Sequence, residues 1–252
     1  MTEHSGSAGI ALVTGASSGI GEAVVRRLVR RGFRVAAVAR RAGRLDELAA
    51  DCNGSVLAVA ADVTDDEQAR GAVTRTVAEF GGLDVLVNNA GIMLLGPFET
   101  SPPGDWRQML ELNVLALMAV SQEAIPHLRK AAAGPRGIGD IINVGSVAGR
   151  VARPNFAAYN ASKWAVTAFT EALRQELAPE GIRVSVVQPG AVDTELLDHV
   201  DAGFRERLVA GPLGSVQRIT SDDVADTIEY LATLEPSVAV NELVVRFSRQ
   251  PF

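Results

Sequence analysis

The chain has 252 residues, of which 47% are hydrophobic and 5% aromatic, and its formal net charge is −6 at pH 7. An acidic chain with scattered basic residues is not expected to bind nucleic acid, and no apolar stretch reaches the ~20 residues that span a bilayer. A single cysteine, Cys52, excludes an intramolecular disulfide and fits a reducing compartment.

These properties predict a single cytoplasmic domain over residues 1–252 with an aliphatic core. Residues 1–8 are small and polar, lack the pattern of a signal peptide and are expected to be disordered. Cys52 falls near a predicted helix end, which favours a structural position over a reactive thiol. The sequence predicts no metal site.

In chain order, apolar runs alternate with segments of helical period, which predicts an α/β fold with a parallel sheet covered by helices on both faces. The predicted strands are Ile10–Thr14, Arg34–Ala39, Val56–Ala60, Leu83–Asn88, Asp140–Val144, Arg183–Gln188 and Glu242–Arg246. The predicted helices are Gly19–Arg31, Arg44–Cys52, Asp65–Phe80, Asp105–Ala133, Ala158–Pro179 and Asp222–Leu234. Pro126 predicts a kink or stop in the fourth helix. Residues 193–214 are poorly periodic and follow a strand, which favours a substrate lid.

A glycine-rich turn, Thr14-Gly15-Ala16-Ser17-Ser18-Gly19-Ile20-Gly21, joins the first strand to the first helix. Glycines permit the tight turn, the close approach of a pyrophosphate and close helix packing. The helix N-terminus then offers free amides to phosphate groups. The pattern predicts a dinucleotide site that includes Ser17, Ser18 and Ile20, although an ordinary Gly/Ser turn is the alternative for this motif alone.

The second strand ends in Ala39-Arg40-Arg41, and no acidic residue occurs between Gly32 and Leu45. An acidic residue there would hold the ribose 2′-hydroxyl of NAD, whereas an arginine accommodates the 2′-phosphate of NADP. Arg40 and Arg41 therefore indicate NADP, the alternative being two solvated arginines. Two further polar turns end strands at the expected ligand-binding edge: Asp62-Val63 and Asn88-Asn89-Ala90-Gly91. Each of them alone is equally compatible with an ordinary turn.

Tyr159 and Lys163 stand four residues apart on a predicted helix and therefore share one face. A nearby ammonium favours the phenolate and is expected to lower the pKa of Tyr159. The pair is therefore suited to moving a proton. Ser146, at the end of the fifth predicted strand, lies at the same edge of the sheet.

Taken together, these motifs resemble the short-chain dehydrogenase/reductase family, with Asn113 and Pro189-Gly190 completing the pattern. The branch that the chain resembles contains NADP-dependent 3-hydroxy acid dehydrogenases and clavulanic acid (clavaldehyde) dehydrogenase. The resemblance implies a Rossmann-type, doubly wound, seven-stranded sheet, a nicotinamide cofactor, and a tetrad of Asn113, Ser146, Tyr159 and Lys163. Gly145 departs from the family's frequent serine, which is expected to widen the pocket, and the C-terminal Val-Asp-Gly-Gly segment is absent.

The resemblance also implies a role for each tetrad member. Tyr159 donates or accepts the proton, Lys163 holds the nicotinamide ribose, Ser146 hydrogen-bonds the developing alkoxide, and Asn113 holds a water that relays protons. Further cofactor contacts are implied for Pro189, Gly190, Val192 and Thr194, with Thr194 reaching the nicotinamide carboxamide.

Candidate substrate residues surround the same edge and are mostly apolar: Leu94, Leu95, Val147, Arg153, Asn155, Phe156, Leu196, Leu197 and His199. Arg150 or Arg153 is a candidate carboxylate clamp, with a solvated loop arginine as the alternative. His199 is expected to face solvent rather than act as an acid. Trp106 and Trp164 are expected in the core or in an interface.

The sequence therefore predicts an NADP(H)-dependent carbonyl reductase or alcohol dehydrogenase acting on a small molecule. Two alternatives share the fold: a non-catalytic NADP-binding regulatory protein, and an epimerase or lyase that uses the cofactor transiently. The family commonly forms homotetramers, so a homotetramer or dimer is expected. It would pair the helices of residues 105–133 and 158–179 through Ala165, Ala168, Phe169 and Ala172.

Overall fold

The computed structural model describes residues 8–210 and 217–250, without the side chains of residues 207–209. The expected disorder at residues 1–7 and the part of the predicted lid at residues 211–214 lie outside the described residues. Ala8, which belonged to the same prediction, is placed, and its backbone N–H donates to the carbonyl of Gly32 at 3.1 Å.

Seven parallel strands form one sheet in the order β3-β2-β1-β4-β5-β6-β7. Their bounds are β1 Gly9–Thr14, β2 Phe33–Ala39, β3 Val56–Ala60, β4 Val85–Asn88, β5 Gly139–Val144, β6 Ile182–Pro189 and β7 Glu242–Val245. The predicted doubly wound fold is confirmed. Since the chain crosses from β3 back past β1 to β4, the carboxyl ends of β1 and β4 form the crevice where such sheets bind ligands.

Helices cover both faces of the sheet. The strands are therefore buried on both sides, which explains why they are uniformly apolar. They are α1 Gly19–Arg30, α2 Ala42–Asp51, α3 Asp66–Phe80, α4 Pro103–Leu110, α5 Ala116–Ala132, α6 Ala157–Leu177, α7 Ala202–Ala210 and α8 Ser221–Ala232. One core layer packs α1, α2 and α8 on the sheet, and the other packs α3, α5 and α6. Side chains at the centre of the sheet, such as Leu12 and Leu86, are fully buried between these layers.

The predicted helix over residues 105–133 is wrong in detail. Between α4 and α5 the chain makes a wider π-helical turn at Glu111–Leu115, whereas α5 continues through Pro126 without stopping. The interruption falls at Asn113 because its buried side chain pairs with the backbone of Ile92 rather than with its own helix. The stop predicted at Pro126 is absent, and the interruption lies instead around Asn113, where the tertiary contact with Ile92 is made.

The poorly periodic segment that begins at Asp193 contains more regular structure than its pattern indicated. Glu195–His199 forms a 3₁₀ turn and Ala202–Ala210 forms α7. Both elements pack above the carboxyl edge, where Val200 and Phe204 join a cluster with Met93 and Tyr159. Among the described residues, no helix is both long and apolar enough to cross a membrane.

Candidate active site

A cavity of about 520 Å³ follows the carboxyl edge of the sheet. It extends from the end of β2 to the start of α6. The predicted residues that line it are Gly15, Ser17, Ser18, Gly19, Ile20, Arg40, Arg41, Asp62, Val63, Asn89, Ala90, Gly91, Ser146, Val147, Arg153, Phe156, Tyr159, Lys163, Pro189, Val192, Thr194 and Leu196. The fold thus brings most of the separate motifs to one continuous surface.

The glycine turn adopts backbone conformations that require glycine at two positions, with φ of +67° at Gly15 and +57° at Gly19. At Gly21 a Cβ would come within 2.5 Å of the Asn89 amide nitrogen, so the turn and the end of β4 are packed in contact. The Thr14 hydroxyl joins them further, because it accepts from the backbone N–H groups of Asn89 at 3.0 Å and Ala90 at 3.1 Å. These two sequence motifs therefore form one rigid cradle.

The two arginines after β2 differ in their contacts. Arg41 donates through Nε to the Ser17 hydroxyl at 3.0 Å and through a terminal nitrogen to the Ser18 hydroxyl at 2.6 Å. It also forms an ion pair with Glu195 at 2.8 Å. Arg40 is exposed, lines the cavity and makes no hydrogen bond or ion pair with any described residue.

At the opposite end of the cavity, Tyr159 and Lys163 are both buried on α6. The Lys163 ammonium lies 6.0 Å from the centre of the Tyr159 ring and donates to the carbonyl of Val144 at 3.0 Å. Ser146 lies two residues beyond the end of β5, where its hydroxyl accepts from the backbone N–H of Ala148 at 3.1 Å, and it is close enough to lower the pKa of the Tyr159 phenol. The start of α6 and the end of β5 therefore place a phenol, an ammonium and an alcohol around one point.

Burial governs the pKa of both groups. It raises the pKa of Tyr159 to about 12, and the hydrogen bond with Ser146 opposes that rise. It lowers the pKa of Lys163 to about 8, because the ammonium loses its hydration. The pKa of Tyr159 is therefore raised rather than lowered as predicted, because desolvation is its largest cause.

Asn113, the remaining tetrad candidate, is fully buried behind the cavity wall rather than on it. Its amide accepts from the backbone N–H of Ile92 at 2.8 Å and donates to the carbonyl of Ile92 at 2.9 Å. It also donates to the Ser162 hydroxyl at 3.1 Å. These contacts fix the loop after β4 against α6, one residue from Lys163.

The substrate candidates divide between those that reach the cavity and those that do not. Leu95, Leu197 and His199 line it in addition to the residues above, whereas Leu94 and Asn155 do not. His199 is exposed at the rim. Of the two clamp candidates, only Arg153 lines the cavity, and its pKa is lowered by burial and by the charge of Arg246. Arg150 instead forms an exposed ion pair with Glu242.

The structure bears on the predictions made for two glycines, Gly190 and Gly145. Gly190 does not line the cavity, because the side chains of Gln250 and Arg246 cover it. A Cβ at Gly145 would come within 2.9 Å of Val186 on β6, so the missing side chain permits close approach of the two strands. Gly145 also lines the cavity, so its effect on the width of the pocket stays a prediction.

Sequence reasoning missed two residues that organise the site. Asn160, next to Tyr159, donates to the carbonyl of Ala148 at 2.6 Å and accepts from the backbone of Arg153 at 3.1 Å, which fixes the loop after Ser146. Glu195 lies between Arg41 and Arg44. A buried polar position beside the tyrosine was a usable signal for Asn160, whereas the partners of Glu195 lie about 150 residues away in sequence.

The cradle fits the dinucleotide that the motifs predict. Backbone lines the cavity along Gly15, Gly19 and Gly91, and a Cβ at Gly91 would come within 3.2 Å of the Asn113 carbonyl oxygen and 3.7 Å of the Lys163 ammonium. Hydroxyls and guanidinium groups occupy one end and proton-transfer groups the other. In residues 8–210 and 217–250, no cluster of three or more His, Cys, Asp or Glu side chains is arranged to hold a metal ion.

Comparisons with known proteins agree with this geometry. The family model described as short chain dehydrogenase matches residues 9–203. Serine 3-dehydrogenase of Rhizobium radiobacter is 33% identical over 247 residues, covering 97% of this chain and 96% of that protein. A crystal structure of 3-ketoacyl-(acyl-carrier-protein) reductase from Brucella melitensis complexed with NADH has a TM-score of 0.84 at 34% identity, covering 96% of this chain and 98% of that chain. The closed form of serine dehydrogenase complexed with NADP+ has a TM-score of 0.85 at 31% identity, covering 94% of each chain.

Proposed function

Since the chain belongs to the short-chain dehydrogenase family of NAD(P)-dependent oxidoreductases, we propose that it is an NADP(H)-dependent carbonyl reductase or alcohol dehydrogenase. A nicotinamide cofactor, when bound, supplies the hydride for a carbonyl carbon or accepts one from an alcohol. The protein supplies the proton, the positioning and the exclusion of water.

The observation that carries this proposal is the continuity of the cavity. One surface joins the hydroxyl groups after β1 and the arginines after β2 to the groups of Ser146, Tyr159 and Lys163. A dinucleotide needs such a surface because its phosphates and its reactive ring are far apart. In open α/β sheets this crevice is the usual ligand site.

Tyr159 is the proposed proton donor. With a pKa raised by burial to about 12, the phenol holds its proton firmly at neutral pH, which is the state that reduction of a carbonyl requires. Ser146 lines the same part of the cavity, and its hydroxyl can stabilise the developing alkoxide. Lys163, with a pKa of about 8, is mostly protonated at pH 7 and offers the charge that stabilises a phenolate after the proton leaves.

Arg40 and Arg41 are the proposed partners of a 2′-phosphate. A guanidinium makes forked, charge-assisted hydrogen bonds with phosphate, and Arg40 lies on the cavity with no partner among the described residues. The NADP+ complex of serine dehydrogenase supports this choice of cofactor, whereas the NADH complex of the ketoacyl reductase shows that this fold also accepts the other cofactor.

The substrate end suits a small or medium-sized molecule with apolar parts. Val147, Phe156 and Leu196 line it, and Arg153 adds a positive charge. We therefore propose carbonyl compounds, or their alcohols, as the substrate class, with 3-oxo and 3-hydroxy acids as the first to be tested.

Measurement of NADPH consumption with a panel of aldehydes, ketones and 3-oxo acids tests the function. We expect turnover by the parent and a loss of at least ~10²-fold in the Tyr159→Phe variant, the scale of general acid catalysis, with NADPH binding retained. A variant within a few-fold of the parent would exclude Tyr159 as the donor. NADPH binding without oxidation would indicate a regulatory protein, and loss of substrate without net oxidation would indicate an epimerase or lyase.

We further propose a homo-oligomer, a tetramer or a dimer, formed through α5 and α6. Large apolar side chains are exposed on and beside these helices, including Leu115 at 52% and Trp164 at 49%. Ala168 and Ala172 are also exposed on α6. Sedimentation of the parent and of a Trp164→Glu variant tests this: a monomeric parent, or an unchanged variant, contradicts the proposed interface.

A further inference from the structure

Glu195 places a negatively charged carboxylate inside the proposed cofactor site. It begins the 3₁₀ turn after β6, and each of its carboxylate oxygens accepts from a different guanidinium. Arg41 donates at 2.8 Å and Arg44 at 2.7 Å, and Arg41 also donates to the Ser18 hydroxyl at 2.6 Å. The carboxylate therefore joins the segment above the cavity to the start of α2, about 150 residues earlier in the chain.

The partners of Glu195 are the groups that a 2′-phosphate requires. Arg41 uses its three nitrogen atoms on Ser17, Ser18 and Glu195, respectively. Three of its five N–H donors are thus engaged, so a phosphate that binds Arg41 either replaces one of these partners or binds the remaining donors beside the negative charge of Glu195. The ribose hydroxyls of NAD carry no charge, so Glu195 does not repel them in this way.

From this geometry we infer that Glu195 determines how strongly the protein prefers NADP over NAD, by competing with the 2′-phosphate for Arg41 and Arg44. Glu195 is a specificity-determining residue and takes no part in proton transfer. The inference rests on the proposed nicotinamide-dependent function. Glu195 does not contact Arg40, so the Arg40 guanidinium can bind the 2′-phosphate without displacing a carboxylate.

The same contact links cofactor identity to the position of the segment above the site. Thr194 packs on the glycine turn, where a Cβ at Gly19 would lie 3.2 Å from its methyl group. When a phosphate takes the place of the carboxylate, the first turn of this segment loses both ion pairs. NAD leaves them intact.

The test compares binding rather than turnover. Dissociation constants are measured by titration for NADPH and NADH, and for adenosine 2′,5′-bisphosphate and 5′-AMP, which probe the adenosine end alone. Glu195→Gln keeps the size of the side chain and removes its charge. We expect the preference for the 2′-phosphorylated member of each pair to rise about tenfold, equivalent to ~1.4 kcal/mol.

Two variants serve as controls. Glu195→Asp keeps the charge and should leave the preference close to that of the parent. Asp198→Asn makes the same charge change on the same 3₁₀ turn, where Asp198 pairs with Arg205 outside the cavity lining, and should leave the preference unchanged.

The outcomes separate this inference from the proposed function. An equal change in both members of each pair in Glu195→Gln, or an equal shift in Asp198→Asn, overturns the role of Glu195. A parent that prefers NADH refutes the proposed NADP preference. In that case, a ratio of NADPH affinity to NADH affinity that is higher in Glu195→Gln than in the parent still supports competition between Glu195 and the 2′-phosphate.

Discussion

Lys163 provides a quantitative test of the buried site through the pH dependence of stability. Burial lowers its pKa from 10.5 to about 8 in the folded protein. Between those values the unfolded chain holds the proton and the folded chain does not, so the free energy of unfolding rises with pH. Below about pH 8 both states are protonated, and the full penalty of a buried ammonium is present.

The size of the effect follows from the shift in pKa. Each pKa unit corresponds to ~1.4 kcal/mol, so the parent should gain ~2–3 kcal/mol between pH 7 and pH 10 that a Lys163→Met variant does not gain. The hydrogen bond to the carbonyl of Val144 is also lost in the variant, which adds a difference that does not follow the titration. The pH-dependent part of the difference in stability between the parent and the variant therefore reports the charge of Lys163 alone.

Urea unfolding of both proteins without cofactor, at intervals from pH 7 to pH 10, measures this difference. Lys130→Met is the matched control, because Lys130 is exposed near the end of α5 and its ammonium stays in water in both states. Its stability should follow that of the parent across the range. If Lys163→Met also runs parallel to the parent, the ammonium is not desolvated as the structure indicates and the reasoning fails.

Other changes test other parts of the molecule. Arg40→Leu should weaken NADP binding by roughly 10- to 100-fold, the scale of one or two charge-assisted hydrogen bonds, and should leave NAD binding nearly unchanged; a constant ratio of kcat/KM for the two cofactors would contradict this. Asp140→Asn should lower the free energy of unfolding by ~3 kcal/mol or more, because the buried carboxylate accepts from Arg183 at 2.6 Å and from Arg136 at 2.5 Å; a loss below ~1 kcal/mol in urea titration would show that the charge contributes little. Gly21→Ala should impair cofactor binding through its contact with Asn89, and undiminished NADPH affinity would refute the rigid cradle.

The sequence predicted most of the fold because uniformly apolar strands and short turns encode it locally. The strand ends also predicted which motifs meet, since parallel strands place their carboxyl ends at one edge. It failed where tertiary contacts decide the outcome. The π-helical turn depends on Asn113 reaching Ile92, and the pKa of Tyr159 depends on burial that the spacing to Lys163 does not reveal.

The same distinction applies to the cofactor site. The arginines after β2 are visible as a pattern, but their contacts are not. Arg41 is engaged by Ser17, Ser18 and Glu195, whereas its neighbour Arg40 makes no such contact within residues 8–210 and 217–250. Adjacent identical residues therefore have different roles because of a partner that no local motif specifies.

The position of Asp140 on β5 has a consequence for engineering this protein. The strand carries the buried Arg136–Asp140–Arg183 contacts at its beginning and presents Ser146 just beyond its end. Six residues of extended chain separate the two by ~20 Å. The part of the strand that carries the buried ion pairs and the residue that lines the cavity can therefore be altered separately. Libraries restricted to the loops around Val147 and Leu196 should retain thermal tolerance while exploring new substrates.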